Sequence, residues 1–162
     1  MSVQEVCLFG DSIARGVVLD AQGAYKPIKE CFASLAAQEL GVALINKARF
    51  GCTIGKGREI IEHFLEKIGA EARRFAFLEF GGNDCDFHWD QISADPKAEH
   101  LPATPPERFF HMYGEVIQAL RAKGFRPVLM TLPPLDAERY FAWFTRTGLD
   151  QKAILDWLGD VQ

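Results

Sequence analysis

The chain has 162 residues, 48% of them hydrophobic, which is enough apolar mass for the core of one globular domain. Its 18 Lys and Arg and 22 Asp and Glu give a formal net charge of −4 without a long block of either sign, which argues against a nucleic-acid partner. The N-terminal apolar run ends at Gly10, far short of a membrane span, and no charged segment precedes it as in an export signal. We therefore expect a soluble, cytoplasmic protein without a membrane partner.

Strand-like and helix-like stretches alternate along the chain. In order, the patterns predict a strand over residues 3–9, a loop over 20–27, a helix over 32–40 closed by Gly41, a strand over 42–46, a glycine-bearing loop over 51–57, a helix over 60–68, a strand over 75–80, a long polar loop over 84–106, a helix over 107–123, a strand over 127–132 and helices over 137–144 and 151–158. Strands that alternate with helices imply a parallel sheet covered by helices on both faces.

No internal repeat or linker interrupts this pattern, so we expect residues 1–162 to form a single domain. A doubly wound domain ordinarily continues into a further strand, but none follows the last predicted strand here. We therefore expect the chain either to be cut at its C-terminal end or to be built differently there.

The cysteines are scattered without the paired spacing of a disulfide framework, which favours free thiols; they are Cys7, Cys31, Cys52 and Cys85. Cys85 and His88 form a single Cys-x-x-His, whereas structural zinc takes four such ligands. We expect neither a metal site nor a cofactor.

Two polar motifs directly follow predicted strands. Gly-Asp-Ser at 10–12 comes after the first strand, and Gly-Gly-Asn-Asp at 81–84 comes after the third. Parallel strands deliver such residues to the carboxyl edge of the sheet, where open α/β folds bind and transform ligands. Ser12 is therefore a candidate nucleophile, provided that a base takes its proton and donors hold the oxyanion. The alternative is that Gly-Asp-Ser is only a turn that caps the next helix.

The motif at 10–12, a lone glycine at Gly51 after the second strand and the motif at 81–84 resemble, in order and placement, the first three blocks of the SGNH or GDSL hydrolases. The resemblance covers residues 3 to about 132. It implies a flavodoxin-like, three-layer α/β/α sandwich with a mostly parallel sheet of at least four strands, and hydrolysis of a small-molecule ester or related acyl compound. It permits carbohydrate deacetylases, short-chain esterases, lysophospholipases and thioesterases alike.

The resemblance also implies roles for individual residues. Ser12 would attack the acyl carbon, and the backbone N–H groups of Ser12 and Gly51 and the side-chain amide of Asn83 would hold the oxyanion. Each such donor is worth roughly 3 to 4 kcal/mol of barrier. Asp11 is expected to accept backbone N–H bonds, as in an Asx turn.

The family's general base is a histidine in a late Asp-x-x-His block, and this sequence contains no Asp-x-x-His. His63 and His111 fall between apolar positions of helices and are predicted to face solvent, and His100 lies in a proline-rich loop. His88 follows Asn83 by five residues and is expected to line the substrate or to be structural. A serine triad without its base loses several powers of ten in rate. We expect a C-terminally truncated hydrolase that is inactive as it stands, with the missing block within roughly 30 further residues.

Two other function classes remain open. Residues 51–57 lie between a strand and a helix like a phosphate-binding loop, but three residues rather than four separate the first two glycines, and Gly57 replaces the hydroxyl residue that would hold Mg²⁺. The second class is a non-catalytic small-molecule or carbohydrate-binding domain that keeps the sandwich and has lost the base.

Candidate substrate-binding residues cluster around the two motifs. They are Asp11, Asp84, His88 and Trp89. The segment 84–106 and the aromatic run at 140–144 could frame an acyl or sugar pocket, although the helical spacing of that run is more typical of core residues. Trp89 is of special interest because it falls in the predicted loop.

Overall fold

The structure is a computed structural model that describes residues 5–68 and 74–161. Its elements are β1 (Glu5–Gly10), α1 (Ser12–Arg15), β2 (Val17–Leu19), β3 (Tyr25–Pro27), α2 (Phe32–Leu40), β4 (Ala43–Asn46), α3 (Ile54–Glu66), β5 (Phe75–Glu79), α4 (Trp89–Ala94), α5 (Pro106–Ala122), β6 (Arg126–Leu129), α6 (Ala137–Thr145) and α7 (Gln151–Val161). Positions 3 and 4 of the predicted first strand lie outside the described residues. No helix within these ranges is both long and apolar enough to cross a membrane.

A four-stranded, all-parallel sheet forms the centre of the fold, in the order β4-β1-β5-β6. Strand β1 is internal: Val6 lies opposite Leu44 of β4 on one side and opposite Phe75 of β5 on the other. Strand β4 lies on one side of β1, and β5 and β6 lie on the other, which is the order of flavodoxin-like sheets. The predicted parallel α/β architecture is confirmed.

Side chains of β1 alternate between two apolar layers, as the pleat of a strand requires. Cys7 and Phe9 are buried in a cluster with residues of α3 and α5, among them Ile61 and Leu120. Leu8, between them, belongs to a second cluster that includes Ala14 of α1 and Ala33 of α2. The sheet is thus covered by helices on both faces.

A short antiparallel hairpin, β2 with β3, occupies much of the region predicted as a loop over 20–27. Asp20 closes its turn, since its Oδ1 accepts the N–H groups of Gln22 and Ala24, each at 2.9 Å. Each strand has only three residues, too few for an alternating pattern to stand out in the sequence.

Helix α3 begins at Ile54, six residues before the predicted start, and includes Gly55 and Gly57, which in sequence are typical of a loop. Gly57 lies inside the helix because Phe80 packs against it: a Cβ there would approach the ring of Phe80 to 2.4 Å. With both glycines in a helix, residues 51–57 do not form the glycine-rich loop that the nucleotide-binding alternative requires.

The predicted long loop over 84–106 contains the short helix α4, and Trp89 is its first residue rather than a loop residue. Ile92 of α4 is fully buried in a satellite cluster with Ile154 and Trp157 of α7. Six helical residues give too short a pattern to identify α4 from sequence, so its existence depends on this tertiary packing.

Candidate active site

Ser12 begins α1 directly after the internal strand β1 and is half-buried. Asp11 caps this helix, since its Oδ1 accepts the Ile13 N–H at 2.8 Å, as predicted for an Asx-type turn. Gly10 permits the turn, because a Cβ there would lie 2.5 Å from the carbonyl oxygen of Glu79 and 2.8 Å from Cβ of Ala14. The serine therefore stands on a tightly packed turn at the carboxyl edge of the sheet.

Gly51 lies in the connection from β4 to α3, on one side of Ser12's turn. The Arg49 N–H donates to the carbonyl of Gly10 at 3.0 Å, which ties this connection to the end of β1. Gly51 has a φ of 63°, a left-handed conformation that favours glycine, and no atom lies within 4 Å of where its Cβ would be. Its neighbour Phe50 lines a cavity that opens beside Ser12.

Asn83 follows β5 and approaches Ser12's turn from the other side. Its side-chain Nδ2 donates to Oδ2 of Asp11 at 3.1 Å and to the carbonyl of Cys52 at 3.3 Å. One amide therefore joins the connections after β1, β4 and β5. The structure brings the segments that carry Ser12, Gly51 and Asn83 together at one edge of the sheet.

Asp84 is buried and does not line the cavity. Both of its oxygens accept the N–H of Ile54 at 3.0 Å, and Oδ1 also accepts the Thr104 hydroxyl at 2.7 Å. Burial is the main cause that raises its pKa above the ordinary range. This carboxylate caps α3, where Thr53 makes no side-chain cap bond, and the structure places it in the core rather than against a ligand.

None of the four histidines is among the residues that line the cavity beside Ser12. His63 and His111 are exposed on α3 and α5, as predicted. His88 is an exposed residue that precedes α4, and Nε2 of His100 is paired with the carbonyl of Asp95 at 2.8 Å. His88 itself does not line the cavity, although its neighbours Phe87 and Trp89 do.

Glu79, the last residue of β5, is a buried carboxyl group that the sequence analysis did not single out. It is 1% exposed, and its Oε2 accepts the N–H of Asp11 at 3.3 Å. Burial, and then the negative charge of Asp11, raise the pKa of Glu79 to about 7. The available signal was an acidic residue inside an otherwise apolar strand, a placement that usually requires a partner or a raised pKa.

A cavity of about 860 Å³ opens beside Ser12 and is lined by Asp11, Asn83 and many aromatic side chains. Trp89 is part of its wall and stacks on Phe144 with ring centroids 4.3 Å apart. Such a volume is within the range of small-molecule sites.

One carboxylate, not singled out by the sequence analysis, organises this wall. Oδ1 of Asp86 accepts bonds from Nε1 of Trp89 at 2.8 Å and from the hydroxyl of Tyr140 at 2.7 Å. Burial and the bond to Asp86 raise the pKa of Tyr140. The wall is thus preorganised, and it joins the start of α4 to α6, two segments about fifty residues apart in sequence.

The cysteines are free thiols, and only Cys85 is exposed. Its Sγ donates to the carbonyl of Gly82 at 3.4 Å. Within residues 5–68 and 74–161, no group of three or more His, Cys, Asp or Glu side chains is arranged to hold a metal ion.

A sequence model of the GDSL-like lipase/acylhydrolase family matches residues 8–160. Among curated proteins, no sequence matches this chain.

Several solved structures share the fold. A member of the lipolytic protein G-D-S-L family from Veillonella parvula DSM 2008 is 17% identical, with 98% of this chain and 72% of that chain covered and a TM-score of 0.59. A lipase/acylhydrolase from Enterococcus faecalis is 21% identical, with coverages of 97% and 68% and a TM-score of 0.55. The psychrotrophic esterase EstA from Pseudoalteromonas sp., in a structure inhibited by monoethylphosphonate, is 16% identical, with coverages of 97% and 73% and a TM-score of 0.53.

Proposed function

The chain belongs to the GDSL-like lipase/acylhydrolase family, and on this premise we propose that it is a serine ester or acyl hydrolase with Ser12 as the nucleophile. The oxyanion hole consists of the backbone N–H groups of Ser12 and Gly51 and the side-chain amide of Asn83. The substrate is a small-molecule ester that binds in the cavity beside Ser12. The protein works in the cytoplasm, a reducing compartment in which its free thiols persist.

The observation that carries this proposal is the hydrogen bond from Asn83 to Asp11, the residue directly before Ser12. It holds the amide donor against the turn that bears the nucleophile. Because β1 lies between β4 and β5, the connections with Gly51 and Asn83 flank Ser12. Three donors from three strand ends can then converge on one oxygen, which is the geometry that electrostatic stabilisation of an oxyanion requires.

The reaction begins when Ser12 Oγ bonds to the ester carbonyl carbon while its proton passes to a base. The carbonyl π electrons move to oxygen, and the resulting oxyanion accepts hydrogen bonds from the three donors. Both hydrogens of the Asn83 amide already have acceptors, Oδ2 of Asp11 and the carbonyl of Cys52, so one of these bonds gives way when the oxyanion forms. Collapse expels the alcohol, which takes the proton from the base, and water then hydrolyses the acyl-serine by the same steps.

The four histidines do not line the cavity, so we expect the 162-residue polypeptide to hydrolyse esters several powers of ten more slowly than a complete serine esterase. Free imidazole can occupy an open cavity of this size and take the serine proton. Its addition should therefore raise the hydrolysis rate through Ser12.

The first test is hydrolysis of short p-nitrophenyl esters by the wild-type chain, Ser12→Ala and Asn83→Ala, each with and without imidazole. The rate with Ser12→Ala gives the hydrolysis due to imidazole alone, and this rate is subtracted from the other two. The remaining rate should be lower by about 10²–10³ in Asn83→Ala, the loss that follows removal of one oxyanion donor. Equal rates for the three proteins at every imidazole concentration would rule out the proposed function.

The second candidate function is a non-catalytic small-molecule or carbohydrate-binding domain. It is favoured by one observation, that none of the four histidines is among the residues that line the cavity. A binding domain would retain a ligand in the cavity, yet imidazole would produce no Ser12-dependent turnover.

A further inference from the structure

Glu79 lies beneath the turn that carries Ser12. In the sheet it is paired with Gly10, and its side chain is 1% exposed. The absence of a side chain at Gly10 gives the carboxyl group its place, because a Cβ there would lie 2.8 Å from Glu79 Oε2. Gly10, two residues before the candidate nucleophile Ser12, is therefore packed against the buried carboxyl group of Glu79.

Hydrogen bonds connect this carboxyl group to the candidate oxyanion donor through one residue. Oε2 of Glu79 accepts the N–H of Asp11 at 3.3 Å. The carboxylate of Asp11 in turn accepts the N–H of Ile13 with Oδ1 and the side-chain amide of Asn83 with Oδ2. The position of the Asn83 amide thus depends on Asp11, and that of Asp11 depends on Glu79.

The surroundings of Glu79 favour its neutral form. Asp11, from the turn after β1, is the acidic group that acts on Glu79, and Tyr113 of α5 is neutral because its pKa is raised to about 12. Asp84, from the turn after β5, acts on Asp11 and Tyr113. Over residues 5–68 and 74–161, no lysine or arginine forms an ion pair with Glu79. Its buried Oε1 has no hydrogen-bond partner. An ionised carboxylate here would lack a cation, and the backbone N–H groups of Asp11 and Ala14 offset only part of the effect of burial and of the charge of Asp11, so its burial is costly.

We propose that Glu79 is a positioning residue of the Ser12 site, which as a neutral acid fixes Asp11 and through it holds the side-chain amide of Asn83 beside the nucleophile. The inference rests on the proposed function, which assigns that amide to the oxyanion hole. When Glu79 ionises, two negative charges face each other at the base of the turn. Asp11 then shifts, the Asn83 amide loses its orientation, and a negative charge lies near the site where the oxyanion forms.

The test follows the Asn83 side-chain amide by ¹H–¹⁵N NMR between pH 5 and pH 9, with its resonance identified by its absence in Asn83→Ala. In the wild type the chemical shift should change with a midpoint near 7, the pKa to which Glu79 is raised. Glu79→Gln keeps the shape and neutrality of the acid and should abolish this change. Asp86→Asn, at a carboxylate that bonds Trp89 and Tyr140 instead, is the matched control and should retain it.

A wild-type resonance that does not titrate, or one that titrates identically in Glu79→Gln, would overturn the proposal. If Glu79→Gln does not fold by circular dichroism, Glu79→Asp serves instead: its shorter carboxyl group should shift the midpoint, and an unchanged midpoint would overturn the proposal. The readout needs no ester turnover. A failure of the Glu79 proposal is therefore distinguishable from a failure of the proposed function, which is measured by Ser12-dependent hydrolysis.

Discussion

At the scale of single residues, the candidate site depends on close packing as much as on reactive groups. Gly10 contributes no functional atom, but the carbonyl of Glu79 and the methyl of Ala14 occupy the space where its side chain would be. Ser12 therefore stands on a turn whose backbone has little freedom to shift. That rigidity keeps a nucleophile in the geometry that its chemistry needs.

We predict that Gly10→Ala lowers the free energy of unfolding by about 1 to 3 kcal/mol, the usual cost of an overpacked core position. Gly114→Ala is the matched control, because Gly114 lies within α5 and no atom lies within 4 Å of where its Cβ would be. That change should instead stabilise the protein by about 0.5 to 1 kcal/mol, the helix-propensity difference between glycine and alanine. Urea titration measures both changes in the free energy of unfolding. Equal changes for the two substitutions would contradict the packing argument.

Among the site residues, those in motifs could be predicted and the isolated ones could not. Gly-Asp-Ser and Gly-Gly-Asn-Asp are short blocks at strand ends, so their placement at one edge of the sheet follows from strand order. Glu79 is a single acid in a strand, and sequence alone does not tell which neighbours it meets. Asp84 belongs to a motif, yet its bonds to Ile54 and Thr104 bridge segments far apart in sequence.

At the scale of elements, one buried carboxylate sets the start of a helix. Asp84 caps α3 from another segment, because both of its oxygens accept the Ile54 N–H. The residue next to it, Asn83, holds Asp11. The same turn after β5 therefore fixes both the beginning of α3, close to Gly51, and the turn of Ser12.

We predict that Asp84→Ala lowers the free energy of unfolding by about 3 kcal/mol, because it leaves a buried N–H and a hydroxyl without their acceptor. Asp136→Ala provides the comparison: Asp136 is exposed and caps α6 by accepting the Arg139 N–H at 3.1 Å. Its loss should cost about 1 kcal/mol, the typical value for an N-cap. Chemical denaturation measures the free energy of unfolding of both variants. If Asp84→Ala loses no more of this free energy than Asp136→Ala does, the bridging role of Asp84 is refuted.

The predictability of the elements follows from their length and regularity. The parallel strands and the long helices carry clear apolar periods, and their positions agree with the structure to within a few residues, apart from the start of α3. That start was missed because Gly57, usually a loop residue, is selected here by contact with Phe80. The hairpin and α4 are too short to show a period, so tertiary contacts decide them.

At the scale of the whole molecule, strand order explains why the site lies where it does. The chain leaves β1 to one side to form β4 and to the other to form β5 and β6. Crossovers that depart in opposite directions leave a crevice at the carboxyl edge, and open α/β sheets bind ligands there. Ser12 and Asn83 follow the two strands that border this crevice.

The cavity wall is a property of the whole fold that no local sequence pattern predicts. Tyr25 of the hairpin lies against Phe50, with ring centroids 5.3 Å apart, and against Trp143 of α6, at 5.7 Å. These rings come from three separate segments and line the same cavity. These aromatic rings form one site only in the folded structure.

The most direct test of the central claim, that Ser12 is the nucleophile, is mass spectrometry of the protein treated with a fluorophosphonate in the presence of imidazole. The Ser12 oxygen should bond to phosphorus with loss of fluoride, while imidazole takes the proton. We predict one adduct on the peptide that contains Ser12, slower labelling in Asn83→Ala and none at this site in Ser12→Ala. An unlabelled Ser12, or an adduct of equal yield on another residue in Ser12→Ala, would contradict the account.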